Sequence, residues 1–291
     1  MPLLYRSSQK AHKSARAKLS RNYLLSSGRF IVASSIALAC SLLTSTAANA
    51  ADFGGRIGYG YWSQDFGGSL NSTNQEIGQI HVTNDLGFDS ENAASFYLVL
   101  EHPLGIVPNV RFQHTELESE TENVLSRTIT YDNVTFAADQ SILSSMDLSH
   151  DDLSLYWQPV QEKQFSLGLG VTIRILDGSF SIIDVATAAR ARQTIDEALP
   201  LPYVQFNYKF GDTGVTFGAD VQVAAFEGDK FVDSSVRLAW ETKMGLGVEL
   251  GYRSITFDVT DLEVDDNNGN PDEIDIDLRV EGFYLGAIYG F

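Results

Sequence analysis

Leu167, Leu169, Val171, Ile173 and Ile175 alternate with Ser166, Gly168, Gly170, Thr172 and Arg174. The same period of two recurs through most of the chain. Val215, Phe217, Ala219, Val221 and Val223 are separated by Thr216, Gly218, Asp220 and Gln222. Val236, Leu238 and Trp240 are separated by Arg237 and Ala239, and Phe283, Leu285, Ala287, Tyr289 and Phe291 by Tyr284, Gly286, Ile288 and Gly290. Successive side chains on a strand point to opposite faces, so each run predicts a strand with one apolar face and one polar or glycine-rich face. Ten segments follow this rule, near 53–65, 94–102, 108–118, 146–158, 164–177, 200–210, 214–226, 231–242, 247–260 and 275–291. A run of about seven to ten residues is near the length that crosses a bilayer as a tilted strand. After Ala51 no stretch approaches the roughly 18 continuous apolar residues of a membrane helix.

The connections sort by length. Pro103–Ile106, Pro159–Lys163, Gly211–Gly214 and Met244–Gly247 are short links. The intervening ones are long and polar, with Glu227–Lys230 the exception. Alternation of short and long links with an even strand count puts both ends of the barrel on one side. The expected fold is therefore all-β: a closed antiparallel transmembrane barrel with short periplasmic turns and long extracellular loops. The pattern fits about ten strands and is compatible with eight to twelve. A soluble sandwich or lipocalin-like barrel also alternates, and the charges on the alternate face do not discriminate. Two features do. Trp157, Trp240, Tyr289 and Phe291 gather towards the short turns and Tyr61 towards the long loops, as two interfacial belts would. The last segment is also apolar on one face up to Phe291.

The first fifty residues have a different character. Seven of the 20 basic residues and no acid lie there, which leaves thirteen bases against 38 acids after Ala50. A body this acidic repels phosphate backbones, so nucleic acid is not an expected partner. Phe30–Leu43 is an apolar run preceded by bases and followed by Ala48-Asn49-Ala50, a small-x-small cleavage pattern. Residues 1–50 are expected to be a signal peptide cut after Ala50, and 51–291 the barrel. An uncleaved anchor, or a lipoprotein box ending at Cys40, fits the residues less well. Cys40 is the sole cysteine, so the processed chain has no disulfide, thiol nucleophile or thiolate metal site.

The terminal pattern Phe283-x-Leu285-x-Ala287-x-Tyr289-x-Phe291 resembles the sorting signal read by the barrel-assembly machinery. Residues 51–291 also resemble a family of proteobacterial outer-membrane β-barrel proteins of unassigned function. The resemblance is carried by Gly58-Tyr-Gly-Tyr-Trp62, Leu98-Val-Leu-Glu-His-Pro103 with Pro108-Asn-Val-Arg111, Asp147-Leu-Ser-His-Asp151, Val248-Glu-Leu-Gly-Tyr-Arg253 and Tyr284-Leu-Gly-Ala-Ile-Tyr289. It implies a fold and an address, and no reaction.

Four groups of residues are candidates for chemistry. Arg56, Glu101, Arg111, Asp152, Arg174, Lys209, Asp220, Arg237, Glu241, Glu249 and Arg253 would share one narrow lumen. Buried charges need partners, so an ion-pair network that fills the barrel is expected. About ten strands leave at most a narrow pore. The acidic stretch 258–277 surrounds Asn267-Asn-Gly-Asn-Pro271 and offers many oxygens to a hard cation. EF-hand spacing fails, because Gly269 at the sixth position would put Val264 at the first. A solvated loop with weak divalent-cation binding as the alternative is expected.

The processed chain has four histidines, His81, His102, His114 and His150. His102 is expected to be solvated at a periplasmic turn. His114 and His150 fall near the outer rim with Asp151 and Asp152. A rim Asp/His pair can activate water, but the parity of His114 with Val110 and Phe112 points it away from the lumen. Adjacent Ser149 and His150 point to opposite faces. Among the long loops, Thr128–Phe136 with Asp132-Asn133 at its centre reads as a β-hairpin. Ile183–Leu199, rich in alanine, has helical propensity.

The expected function is non-enzymatic: an envelope-structural or surface-contact protein of the outer membrane, expected as a monomer. A narrow pore for small solutes is the alternative, and a rim hydrolase acting on peptides or lipid A is third. No catalytic residue and no cofactor are assigned. Expected partners are outer-membrane lipid, lipopolysaccharide and the assembly machinery.

Overall fold

The computed structural model describes residues 53–72, 79–226, 229–265 and 271–291. The expected signal peptide with its cleavage motif and Cys40, and residues 266–270, lie outside the described residues. Fifteen strands are described, ten of which form the barrel wall. They are β1 (Gly54–Ser72), β2 (Ile80–His81), β3 (Glu91–Glu101), β4 (Asn109–Thr115), β5 (Glu118–Val124), β6 (Ile129–Tyr131), β7 (Val134–Phe136) and β8 (Ser141–Asp147). The rest are β9 (His150–Gln161), β10 (Phe165–Asp184), β11 (Arg190–Lys209), β12 (Val215–Phe226), β13 (Asp229–Glu241), β14 (Leu246–Asp265) and β15 (Pro271–Gly290).

Each wall strand pairs with the next, antiparallel, in the order β1, β3, β4, β9, β10, β11, β12, β13, β14, β15. The sheet closes where β15 pairs with β1, from Arg56 opposite Gly290 to Ser72 opposite Ile274. Closure leaves no unpaired edge at membrane depth, as hydrocarbon requires. This is the ten-stranded barrel expected from the alternation.

The outward face of the lower half is apolar and exposed. Leu238 is 51% exposed and Leu285 63%, and Val171, Ile173, Val236, Val248 and Leu250 join them in a continuous belt. Exposed aliphatic area on this scale is incompatible with water and matches lipid tails. Trp157, Trp240 and Tyr289 border the belt at the short-turn end, and Tyr59 and Tyr61 at the other. An apolar belt between aromatic girdles on a closed antiparallel barrel is the architecture of an outer-membrane protein.

Above the belt the apolar face changes sides. On β10, Ile175 faces outward and its neighbour Leu176 is buried, followed inward by Phe180 and Ile182. On β15, Phe283 and Leu285 face lipid, whereas Ile274, Ile276, Leu278 and Val280 are all buried. β1 does the same with Tyr61 outward and Trp62, Phe66 and Leu70 inward. The phase shifts by one residue because the solvent outside the wall changes from lipid to water. Water outside demands an apolar interior; lipid outside allows a polar one.

The inward apolar residues merge into one cluster that fills the outer half of the barrel. Segment 80–88 contributes Ile80, Val82, Leu86 and Phe88. The 117–148 excursion contributes Leu117, Leu125, Ile129, Tyr131, Phe136, Ile142 and Met146. This excursion is a sheet extension: β5 pairs with β8, and β8 with the top of β10. Its tip is the expected hairpin, β6 against β7, with Asp132 and Asn133 at φ 48° and 60°. Positive φ at both central residues suits a type I′ turn, which asparagine and aspartate tolerate.

The structure corrects the reading of Ile183–Leu199 as a helix-prone loop. β10 continues to Asp184 and β11 begins at Arg190, paired from Ile183 opposite Arg190 to Phe165 opposite Tyr208. Buried Ala191 and Ile195 alternate with exposed Arg192 and Asp196, so strand pairing overrides alanine's helical propensity. Long loops are thus fewer than expected, because several of the strands run far beyond the membrane. The acids from Asp258 to Asp265 and from Asp272 to Asp277 likewise sit on β14 and β15.

Candidate functional site in the barrel lumen

The inward face of the lower half carries the charges. Arg174, on β10, is fully buried. Its Nε and Nη2 donate to Asp152 Oδ1 and Oδ2 at 2.7 Å each, across the pair β9–β10. Nη2 also reaches Gln222 at 2.9 Å and Asp233 at 2.6 Å on β12 and β13. Arg253 on β14 donates to the same Asp233 from Nε (2.9 Å) and Nη2 (2.6 Å), and from Nη1 to Thr115 on β4 (2.9 Å). Two guanidinium groups and two carboxylates therefore tie together strands from opposite walls, and their charges cancel. Arg174 lies over the Phe231 ring at 4.8 Å and Arg253 over Trp62 at 5.2 Å. The aromatic faces form the boundary with the apolar cluster above.

A second layer lies towards the short turns. Arg237 pairs with Asp220 and donates to Asn207 at 2.9 Å, and Tyr203 donates to Asp220 at 2.7 Å. Gly218 opposite Arg237 makes room for it: a Cβ there would fall 2.6 Å from the guanidinium carbon. Tyr97 donates to Glu249 at 2.9 Å and stacks under Arg111 at 4.7 Å. A cavity of about 50 Å³ lies in this layer. Below it a chamber of about 740 Å³ opens between the short turns, walled by Arg56, Glu101, Lys209 and Glu241 among others.

All the residues expected to share the lumen do so. Six partners were not singled out in the sequence: Asp233, Gln222, Thr115, Asn207, Tyr97 and Tyr203. Asp233 was legible, because it shares the parity of Arg237 on the same strand. The tyrosines were not, since an inward tyrosine reads as an interruption of the polar face.

The histidines His114 and His150 point to opposite faces of the wall. His114 Nδ1 lies 2.8 Å from Asp151 Oδ1, both half-exposed on the outward face. His150 faces inward, with Nδ1 2.9 Å from the Leu148 carbonyl. Ser149 turns the other way and accepts the Leu117 N–H at 3.1 Å. Among the described residues no serine hydroxyl bonds a histidine ring. His102, expected to be solvated, instead staples its turn: Nδ1 accepts the Leu104 N–H and Nε2 lies 3.1 Å from the Pro108 carbonyl. A turn backbone left unpaired at a barrel rim explains the capture.

His150, Asp152 and Asp233 place ligand-type atoms within 4.8 Å of one another. Both carboxylates are already committed to Arg174 and Arg253. A cation there would face two guanidinium groups, so the donor set does not fit a metal.

No family model matches the sequence. No curated protein matches it either. Solved structures resemble the fold. The outer membrane protease OmpT from Escherichia coli aligns over 85% of this chain and 100% of its own, at 12% identity and a TM-score of 0.47. Ail, the attachment invasion locus protein of Yersinia pestis, aligns over 82% and 99%, at 9% identity and 0.33. An outer membrane channel from Pseudomonas putida F1 aligns over 85% and 99%, at 10% identity and 0.34. Each TM-score lies below 0.5; the barrel is established by this chain's own strand pairing.

Proposed function

We propose that this protein is a non-enzymatic outer-membrane barrel that works through its exterior, as an envelope-structural or surface-contact element. One observation carries this reading. The outer half of the lumen is filled by a contiguous apolar cluster resting on the Arg174–Asp152–Asp233–Arg253 layer. A hydrated solute crossing it would shed its water against aliphatic side chains, and each of the four charges would have to release a partner. The reading includes removal of residues 1–50, lipid and lipopolysaccharide around the belt, delivery by the assembly machinery through the 283–291 strand, and a monomeric state. It also includes membership of the proteobacterial barrel family of unassigned function.

Conductance decides between this and the narrow pore. Processed protein inserted in planar bilayers is expected to stay silent. Discrete openings in the parent protein would overturn the reading in favour of solute passage. A rim hydrolase makes a different demand: product from peptide or lipid A, lost in His114→Ala. No product is expected.

A further inference from the structure

The chamber between the short turns has an imbalance of free hydrogen-bonding capacity. Of its carboxylates, Glu162 is exposed at a short turn, and the two that line the wall deeper in are engaged. Glu101 Oε1 accepts from Tyr156 Oη and from Gln158 Nε2, both at 2.9 Å. Glu241 accepts from Arg56 at 3.3 Å. Its cations are not all engaged. Arg111 is only 8% exposed, yet its guanidinium donates to one neutral acceptor, Gln113 Oε1 at 2.8 Å. Among the described residues it has no carboxylate within 4.0 Å, and Lys209 has none either. Arg56 Nε is buried without a partner. The nearby carboxylates serve other groups: Asp220 takes Arg237 and Tyr203, and Glu249 takes the Tyr97 hydroxyl.

A guanidinium removed from water is costly unless an anion meets it. Arg111 borders both the small cavity and the chamber. The chamber, at about 740 Å³, falls within the range of small-molecule sites. It is entered from the short-turn side, and the apolar cluster closes the route beyond it. The geometry points to a binding site for a small anion, a phosphate or an organic carboxylate, received from the periplasm and held by the Arg111 fork with Lys209 as the second charge. A fork of N–H donors matches a carboxylate or phosphate in a bidentate arrangement. The site lies on the barrel axis, so the ligand is a solute and not a lipid of the belt.

The test is calorimetric titration of processed protein, in a sugar-headgroup detergent, with inorganic phosphate and with citrate. Chloride at matched ionic strength is the reference. Saturable binding of one equivalent is expected for one of the two anions. Arg111→Gln should weaken it about tenfold or more, the loss of one charge-assisted contact. Lys209→Gln should weaken it less, and Arg279→Gln, on the outer wall, should leave it unchanged. Heat-dependent gel mobility checks that each variant folds. If Arg111→Gln does not fold, Lys209→Gln decides alone, because that side chain is exposed in the chamber. Absence of binding at millimolar anion, equal competition by chloride, or binding indifferent to the folded variants overturns the proposal. So does binding confined to a short-chain phosphatidic acid, which would place the affinity on the lipid face.

Discussion

Replacing Asp233 by alanine tests whether the lumen network holds the barrel together. Asp233 accepts three hydrogen bonds, two from Arg253 and one from Arg174. After Asp233→Ala, Arg174 keeps its fork on Asp152, whereas Arg253 keeps only the Thr115 hydroxyl and the face of Trp62. The layer then holds two guanidinium groups against one carboxylate, all buried. Removing one partner of a buried pair costs about 3–5 kcal/mol, because the remaining charge stays desolvated. Urea unfolding of the barrel from lipid vesicles should show that loss. Arg279→Ala, which removes an exposed partner of Glu281, should cost under about 1 kcal/mol. Adding Arg253→Met to Asp233→Ala should recover much of the stability, since the orphaned charge is gone. An Asp233→Ala barrel within about 1 kcal/mol of the parent would refute the reasoning: Arg253 would then be reaching water, and the lumen would be wetter than the packing implies.

Three further outcomes follow from local geometry. Gly251→Val should destabilise the barrel by about 1–3 kcal/mol in the same unfolding assay, because a Cβ there falls 2.3 Å from the Tyr284 ring carbon that must move. Asn133→Val should cost about 1–2 kcal/mol and speed amide exchange at Tyr131 and Val134, whereas Asn133→Gly should be tolerated, since the position sits at φ 60°. Asp184 accepts the Ala186 and Thr187 N–H groups at 2.8 Å each, which hold its carboxyl below the usual carboxylate range. A depressed value means the contribution is complete above the unfolded value of about 3.9 and is lost as pH falls through the folded one. Protection of the Ala186 and Thr187 amides, read as exchange relative to the intrinsic rate at each pH, should therefore fall on acidification below about pH 4, and Asp184→Asn should remove that pH dependence.

The wall strands were legible because lipid and lumen impose opposite demands on alternate residues. Leu167 to Ile175 and Phe283 to Phe291 carry that signal without help from propensity. The ionic lining was legible for the same reason. The filling of the outer half was not. Ile274, Ile276, Leu278 and Val280 alternate with charged residues as cleanly as the lipid-facing rows alternate with polar ones, but a period of two does not say which side of the wall is wet. The one-residue phase shift, Ile175 to Leu176 on β10 and Tyr61 to Trp62 on β1, is the available clue. It marks where each strand leaves the bilayer. Ala186 to Ala198 misled for a different reason: composition suggested a helix, while pairing with β10 decided the outcome. Partner choice across the lumen was beyond reach, since Arg174 and Asp233, and Arg253 and Thr115, meet only through closure of the sheet.

The direction of the apolar rows is the claim on which the account rests. The sole cysteine, Cys40, falls within the first fifty residues, so a cysteine placed at Leu238 in protein beginning at Ala51 takes a single nitroxide label. In lipid vesicles that label should relax readily with oxygen and scarcely with a water-soluble nickel chelate. The opposite ranking, chelate over oxygen, would place Leu238 in water and contradict the membrane barrel.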